Sequence, residues 1–376
     1  MTPFFFETIH YSKKSRARVG RIHTPHGIID TPGFVGVGTN GTLKSLDNIA
    51  AQEAGLQLMF CNTYHLILQP GTQTVKEAGG LHTFIKRSLP IITDSGGFQV
   101  FSLAYGSVAN ELKSRGIKKQ DGSVLKITEE GVLFRSYRDG AKIHLTPENS
   151  IQAQKDLGAD IILCFDELPP YHISEKTLAS SLERTHRWEE RSLTEHLKNP
   201  NSQALYAIIH GGIDPVLRKI SCDFLTKRPF DGYAIGGSLG KNKQEMYTML
   251  SSTLPRLPLD KPNHLLGIGD LASLELCIPL GVDTFDSSYP TRSARHGVLL
   301  TEKGPLNITK TQYARDFSSL EEGCSCSTCC NYSRGYLHHL FKAKEAICMN
   351  LASLHNLHFM VKWMEKYRKK ILRDEI

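Results

Sequence analysis

Leu205-Tyr206-Ala207-Ile208-Ile209-His210-Gly211-Gly212-Ile213-Asp214-Pro215 is the stretch whose reading decides the fold. Five apolar residues without alternation suit a strand buried on both faces. His210-Gly211-Gly212 then breaks the run, and Asp214-Pro215 gives a helix start, an N-cap candidate followed by proline at the first helical position. Strand, polar turn and helix together make one βα unit. The pattern recurs: Phe34–Val37, Leu58–Cys61, Leu89–Thr93, Ile161–Phe165, Tyr233–Ile235, His264–Ile268 and Val282–Phe285 are further apolar runs. With Leu205–Ile209 they number eight, the count that closes a (β/α)8 barrel of TIM type. Helical stretches are expected between them at Leu43–Ala54, Pro147–Leu157, Ser174–Leu197, Pro215–Thr226, Gln244–Leu254 and Leu271–Leu280, with Thr146 repeating the cap-then-proline arrangement at Pro147.

Outside the repeat, residues 1–33 carry Gly20, Pro25-His26-Gly27 and Pro32-Gly33 and read as a small β layer. Residues 34–295 form the expected barrel, and 296–376 a separate basic subdomain bearing His and Cys, helical from Tyr336 onward. Gly106–Lys126, with Lys113, Arg115, Lys118 and Lys119, reads as a mobile polar loop. A chain of 376 residues suffices for one barrel of about 250 residues with these appendages. It is 40% hydrophobic and 22% charged, with no apolar stretch near the ~18 residues of a membrane span. Phe4-Phe5-Phe6 is too short for the apolar core of a signal peptide. A cytoplasmic location without membrane contact is therefore expected. The formal charge of +7 suits a polyanionic partner without fixing a site.

In such barrels the reacting groups stand just after the strands. Here those positions hold Asn62-Thr63, Asp94-Ser95-Gly96-Gly97, Asp166-Glu167, His210-Gly211-Gly212, Gly236-Gly237, Gly269-Asp270 and Asp286-Ser287-Ser288. A single Asp after a strand is as readily a helix cap. Three carboxylates on one rim, Asp94, Asp166 and Asp286, suit chemistry at an anomeric carbon, where one attacks and another moves protons on the leaving group. The paired glycines let backbone N–H groups approach a flat ligand. These residues point to glycosyl transfer or glycosyl hydrolysis without naming the sugar.

Of nine cysteines, four fall between Cys324 and Cys330, while Cys61, Cys164, Cys222, Cys277 and Cys348 lie among apolar neighbours and read as buried thiols. Cys324, Cys326 and Cys329 form C-x-C-x2-C, a thiolate set suited to tetrahedral zinc. The spacing leaves the fourth ligand open among His338, His339, His355 and His358, with Cys330 a competing sulfur. Four protein ligands would make the site structural.

Thr93-Asp94-Ser95-Gly96-Gly97-Phe98-Gln99-Val100-Phe101-Ser102-Leu103 and Phe285-Asp286-Ser287-Ser288-Tyr289-Pro290-Thr291-Arg292-Ser293-Ala294-Arg295 closely resemble the tRNA-guanine transglycosylases. So do Cys61-Asn62-Thr63-Tyr64-His65-Leu66, Glu130-Gly131-Val132 with Asp139-Gly140, Leu145-Thr146-Pro147-Glu148, and the cysteine trio followed by His355, so the likeness spans nearly the whole chain. The resemblance implies a (β/α)8 barrel with one structural Zn2+, acting on the wobble guanine (position 34) of tRNAs with a GUN anticodon, those for Asp, Asn, His and Tyr, usually as a homodimer. It implies Asp286 as nucleophile on ribose C1′ and Asp94 as acid/base. Ser95, Phe98, Asp166, His210, Gly237 and Ser238 would bind the base, Arg292 and Arg295 the tRNA, and Cys324, Cys326, Cys329 and His355 the zinc. Three rivals remain beside it: a non-catalytic tRNA-binding relative, a barrel nucleoside hydrolase and a plain zinc-stabilised structural protein.

The base pocket departs from the family pattern. His210 stands where the family usually has Gln, Phe98 where it has Tyr, and Leu168 where bacterial members have Cys. The usual Gly-Gly-Leu-Ala-Val-Gly-Glu loop is here Gly236-Gly237-Ser238-Leu239-Gly240-Lys241-Asn242, one residue shorter and without its Glu. That difference implies queuine as the incoming 7-deazaguanine in preference to 7-aminomethyl-7-deazaguanine.

Overall fold

A computed structural model describes residues 3–99, 112–113, 115 and 124–376. Three antiparallel strands open the chain, β1 (Phe5–Tyr11), β2 (Arg18–Thr24) and β3 (Gly27–Thr31). Barrel strands β4 (Gly33–Val37), β5 (Leu58–Cys61) and β6 (Ile91–Thr93) follow. After a second antiparallel sheet of β7 (Val124–Ile127), β8 (Val132–Arg135) and β9 (Lys142–Leu145), the barrel resumes with β10 (Ile161–Leu163), β11 (Ala204–Ile209), β12 (Gly232–Ile235), β13 (Asn263–Leu265) and β14 (Thr284–Ser287). All eight barrel pairings are parallel, and β14 closes the ring on β4 through Phe285 opposite Phe34. Each of the eight apolar runs supplies one of these strands.

The absence of alternation has its cause in two apolar faces. Val35, Leu58, Phe60, Ile92, Leu163, Tyr206, Ile208 and Ala234 fill the barrel interior, while their neighbours Phe34, Met59, Ile91, Ile162, Leu205, Ala207 and Phe285 meet the outer helices. Ile22 and Ile29 of the N-terminal layer join the interior set and stopper one mouth. Arg18 locks this layer there by a buried two-point bond to Asp283, just before β14, at 2.9 and 2.6 Å. Among the described residues the opposite mouth, at the strands' C-terminal ends, opens on a cleft.

The two expected cap-and-proline starts are present: Thr146 and Asn149 exchange capping bonds ahead of Pro147–Leu157, and Asp214 caps Pro215–Leu225. The helix expected over Leu43–Ala54 is shorter, Asn48–Glu53, because Leu43 and Leu46 are buried in a turn and Asp47 is the cap. Leu271–Cys277 gives way to a 3-10 turn at Ile278–Leu280, where Pro279 cannot continue the α-helical bonding. Val124–Lys126, read as loop, belong to β7; of the rest of Gly106–Lys126 only Leu112, Lys113 and Arg115 are among the described residues.

Beyond the barrel, the helices Ser327–Asn331 and Arg334–Ala343 build a small core with Leu299, Ile308, Leu320 and Leu337. The long helix Ile347–Leu372 ties it to the barrel by burying Met360, Trp363, Met364 and Ile371 in the main core. Among the described residues no helix is long and apolar enough to cross a membrane.

Candidate active site

Asp94 stands at the end of β6 and is held from the next strand along the ring. Thr63 donates its backbone N–H to Oδ1 at 2.7 Å and Asn62 its amide to Oδ2 at 2.6 Å, while the Thr63 hydroxyl donates to the Asp94 carbonyl. Asn62 is the N-cap residue of Thr63–Leu68 yet makes no side-chain cap bond, because its amide serves the carboxylate. Burial pushes the Asp94 pKa up; the bonds from Asn62 and Thr63 pull it down, the charges of Asp166 and Asp286 raise it again, and it rests at about 6. A carboxyl so placed exchanges protons near neutral pH.

Asp166, after β10, accepts from the Ser95 hydroxyl at 3.0 Å and is bonded to His210 Nε2 at 2.9 Å. Ser95 Oγ in turn accepts the Gly97 N–H at 3.1 Å. Glycine is required at 97, since a Cβ there would lie 2.5 Å from both the carbonyl and the carboxylate of Asp166. His210 is 2% exposed and packs under the Gly236-Gly237 turn, where a Cβ on Gly237 (φ +75°) would stand 2.9 Å from its Nδ1. That turn is fixed from beneath by the buried guanidinium of Arg218, which donates to the carbonyls of Ile209 (2.6 Å), Gly212 (2.8 Å), Gly236 (2.8 Å) and Ser238 (3.2 Å). Burial lowers the Arg218 pKa to about 10, still well above neutrality.

Asp286, in β14, offers Oδ1 to two donors, the Gly267 N–H at 2.7 Å and His264 Nε2 at 3.1 Å. Its Oδ2 takes no hydrogen bond among the described residues. The three carboxylates open on one cleft of about 750 Å3, which Ser95, Phe98, Gly237, Ser238 and Arg292 also line. Phe98 exposes 44% of its surface there. Two residues expected at the site do not line it. His210 lies behind Asp166, and Arg295 is half-buried one helical turn beyond Arg292, its pKa lowered by burial and by the neighbouring charge.

Sequence reasoning assigned no role to Asn62, Thr63, Arg218, His264 or Gly267. Asn62-Thr63 was visible as a polar break after a strand. The others carry no local signal: Arg218 sits inside a helix, and His264 belongs to a run that otherwise reads as apolar strand.

The C-terminal cluster is a separate site. Cys324, Cys326 and Cys329 place Sγ at 3.9, 3.5 and 3.3 Å from His355 Nδ1, and all four donor atoms lie within 4.8 Å of one another. Zinc with sulfur at about 2.3 Å and nitrogen at about 2.0 Å in a tetrahedron sets donors roughly 3.5 Å apart, so the group fits that ion. His355 Nε2 bonds the Leu300 carbonyl at 2.8 Å, which orients Nδ1 toward the sulfurs. The other candidates are engaged elsewhere or outside the group: His338 bonds the Ile308 carbonyl, His358 bonds Ser325, and Cys330 is exposed.

Comparison with known proteins agrees with this layout along the chain. The family described as Queuine tRNA-ribosyltransferase matches residues 13–376. A protein of that name from Protochlamydia amoebophila (strain UWE25) is 72% identical over 376 residues, covering 100% of this chain and 97% of the relative. Its namesake in Chlamydia caviae is 57% identical over 372 residues, 99% of each chain, and one from Chlamydia trachomatis serovar D is 54% identical over the same length. With a barrel whose rim gathers three carboxylates, a Cys3His group, and likeness of this extent, the chain belongs to the queuine tRNA-ribosyltransferase family.

Proposed function

We propose that this protein is a tRNA-guanine transglycosylase that exchanges guanine 34 of tRNAs with a GUN anticodon for a 7-deazaguanine. One observation carries the reading: the same cleft gathers Asp94, whose pKa burial pushes up to about 6, and Asp286, one oxygen of which takes no hydrogen bond among the described residues. Asp286 Oδ2 attacks ribose C1′, and the C1′–N bond breaks with its electron pair going to the base, which takes a proton from Asp94. The strand stays joined through a glycosyl ester on Asp286. An incoming base gives a proton to Asp94 and displaces the carboxylate. Closure of the cleft around the RNA keeps water from the ester.

Asp166, held by Ser95 and His210, accepts from the N–H groups of the base's guanine edge, and Phe98 stacks on its face. Gly237 and Ser238, on the turn fixed by Arg218, meet its carbonyl side. His210 acts by holding Asp166. Arg292 and Arg295 contact the tRNA backbone. Queuine is the preferred incoming base: Gly237 and Gly240 leave the loop without side-chain bulk, and Arg218 already occupies the Gly236 and Ser238 carbonyls that could otherwise receive an aminomethyl group. Cys324, Cys326, Cys329 and His355 hold one zinc ion, which supplies structure, since four protein donors leave no open position. Exposed Phe317, Tyr332 and Tyr336 on this subdomain suit the homodimer contact. The setting is the cytoplasm.

The test is release of labelled guanine from a GUN-anticodon tRNA, with queuine and with the aminomethyl precursor, by wild type and Asp286→Ala. Release by wild type alone supports transglycosylation, and the faster base settles the pocket. Label retained by wild type with every base favours a tRNA-binding role without chemistry, and abasic tRNA favours a hydrolase. One equivalent of zinc per chain, lost in Cys329→Ser, checks the metal.

A further inference from the structure

We propose that His264 is a positioning residue for Asp286, one that selects the attacking oxygen and favours breakdown of the glycosyl ester over its formation; the proposal rests on the transglycosylase reading above. His264 is fully buried inside the barrel on β13, opposite Thr284 of β14 and stacked at 6.0 Å on Phe60. An ionised carboxylate only accepts hydrogen bonds, so the 3.1 Å contact to Asp286 Oδ1 places a proton on Nε2. Nδ1 is bonded to the Thr284 hydroxyl at 2.9 Å. That hydroxyl also reaches the Asn263 carbonyl, at 3.3 Å. Thr284 thus fixes the plane of the ring.

The consequence lies in which oxygen is occupied. Gly267 and His264 both donate to Oδ1, so among the described residues nothing engages Oδ2, whose lone pairs face C1′. When Oδ2 bonds C1′ and the base departs with the C1′–N pair, the carboxylate becomes a neutral ester whose carbonyl oxygen is Oδ1. When the new base attacks, the C1′–Oδ2 bond breaks, its pair returns to the carboxylate, and negative charge develops again on Oδ1. The N–H of His264 is then already in place, and it strengthens as that charge grows. In the first half-reaction the same N–H weakens the nucleophile while orienting it, and the two effects offset. In the second half it stabilises the leaving group. His264 is therefore asymmetric between the halves, which a purely structural residue is not.

The experiment follows the covalent RNA–enzyme adduct on denaturing gels, timing its formation without added base and its decay after queuine or guanine is supplied. His264→Phe should slow decay by about 10²-fold, the scale of losing one donor to a developing oxyanion, with formation changed by less than about fivefold, so that adduct accumulates. His264→Gln, whose amide can still reach Oδ1, should restore decay to within about tenfold of wild type. Thr284→Val, which removes the partner of Nδ1, should slow decay in the same direction and serves if His264→Phe does not fold. Equal slowing of both halves, or no slowing of decay in a folded variant, overturns the role of His264 and leaves the transglycosylase reading intact. Absence of adduct and of base release in wild type overturns both.

Discussion

Buried aspartates stand at both ends of this barrel, burial pushes Asp283 up at one end and Asp94 at the other, and the two groups differ in how many of their oxygens the fold engages. At the end covered by the N-terminal layer, Asp283 takes a two-point bond from Arg18 and the Asn263 N–H, and Asp160 meets His26 at 2.7 Å, His82 at 3.1 Å and the Ile91 N–H at 2.8 Å. Burial alone would push Asp160 up, yet His26, His82 and the Ile91 amide together hold it well below the ordinary carboxylate range. At the open end Asp94, Asp166 and Asp286 bond no Lys or Arg among the described residues; Asn62, Thr63, Ser95, the Gly267 N–H and the rings of His210 and His264 hold them, Asp94 is pushed up to about 6, and Asp286 keeps one oxygen unbonded among those residues. The difference teaches that burial does not decide the use of a carboxylate. At the closed end the fold engages both oxygens of Asp283 and of Asp160, whereas at the open end Asp94 has a raised pKa and Asp286 offers an oxygen to the cleft.

The contrast is most exposed at Asp286. Asp286→Ala should lower base exchange by at least about 10⁴-fold, as loss of a nucleophile does, and cost only about 1–3 kcal/mol in urea unfolding, because the His264 and Gly267 donors lose their acceptor but no Lys or Arg does. A stability loss as large as the activity loss would break the distinction between the two ends. The mirror experiment is Asp283→Asn, which leaves the Arg18 guanidinium buried against a neutral amide. It should cost about 3–5 kcal/mol in urea unfolding, while the folded fraction keeps wild-type exchange.

Asp94→Asn sharpens the comparison, because it should raise stability and remove activity together. The folded pKa of Asp94 lies above its unfolded value, so the stability it contributes is fully present below pH ~4 and is lost as pH rises through about 6. At pH 8 the ionised group therefore burdens the fold by at most about 3 kcal/mol, a burden that the neutral amide lifts. Asparagine fits the same donors once the Asn62 amide turns over. Chemical unfolding at pH 4 and pH 8 checks this: the variant's advantage should be full at pH 8 and vanish near pH 4. In wild type, exchange itself should change steeply around pH 6.

How much of this was legible follows from which residues speak locally. The eight strands could be read because each has two apolar faces, and Asp94, Asp166 and Asp286 because each interrupts such a run. Sheet β7–β9 could not, since Val124–Ile127 shows no two-residue alternation in burial and Lys142–Leu145, which does alternate, is only four residues long. The zinc trio was visible in its spacing, whereas its fourth ligand was decided by which histidine the helix Ile347–Leu372 turns toward the sulfurs. His264 and Arg218 were hidden for a common reason: their partners, Asp286 and the Gly236 turn, lie 22 and 18 residues away in sequence.

The smallest expected effect is at His26, the more exposed of the two histidines on Asp160, with a side chain 40% exposed against 11% for His82. Its bond to Asp160 raises its pKa, against a smaller lowering by burial. A raised histidine adds stability below its unfolded pKa, about 6.5, and that contribution fades as pH climbs through the folded value. His26→Phe keeps a ring to stack on His82, whose own ring lies 3.5 Å away, and removes only the charge and the bond. Solvent screening limits the loss to about 1 kcal/mol at pH 6, and it should shrink toward pH 9 because the wild-type ring is then neutral too. Asp160 keeps His82 and the Ile91 amide, so its charge remains held. A loss of several kcal/mol, or one that grows with pH, would mean that Asp160 depends on a single surface partner, and the closed end would then be no better satisfied than the open one.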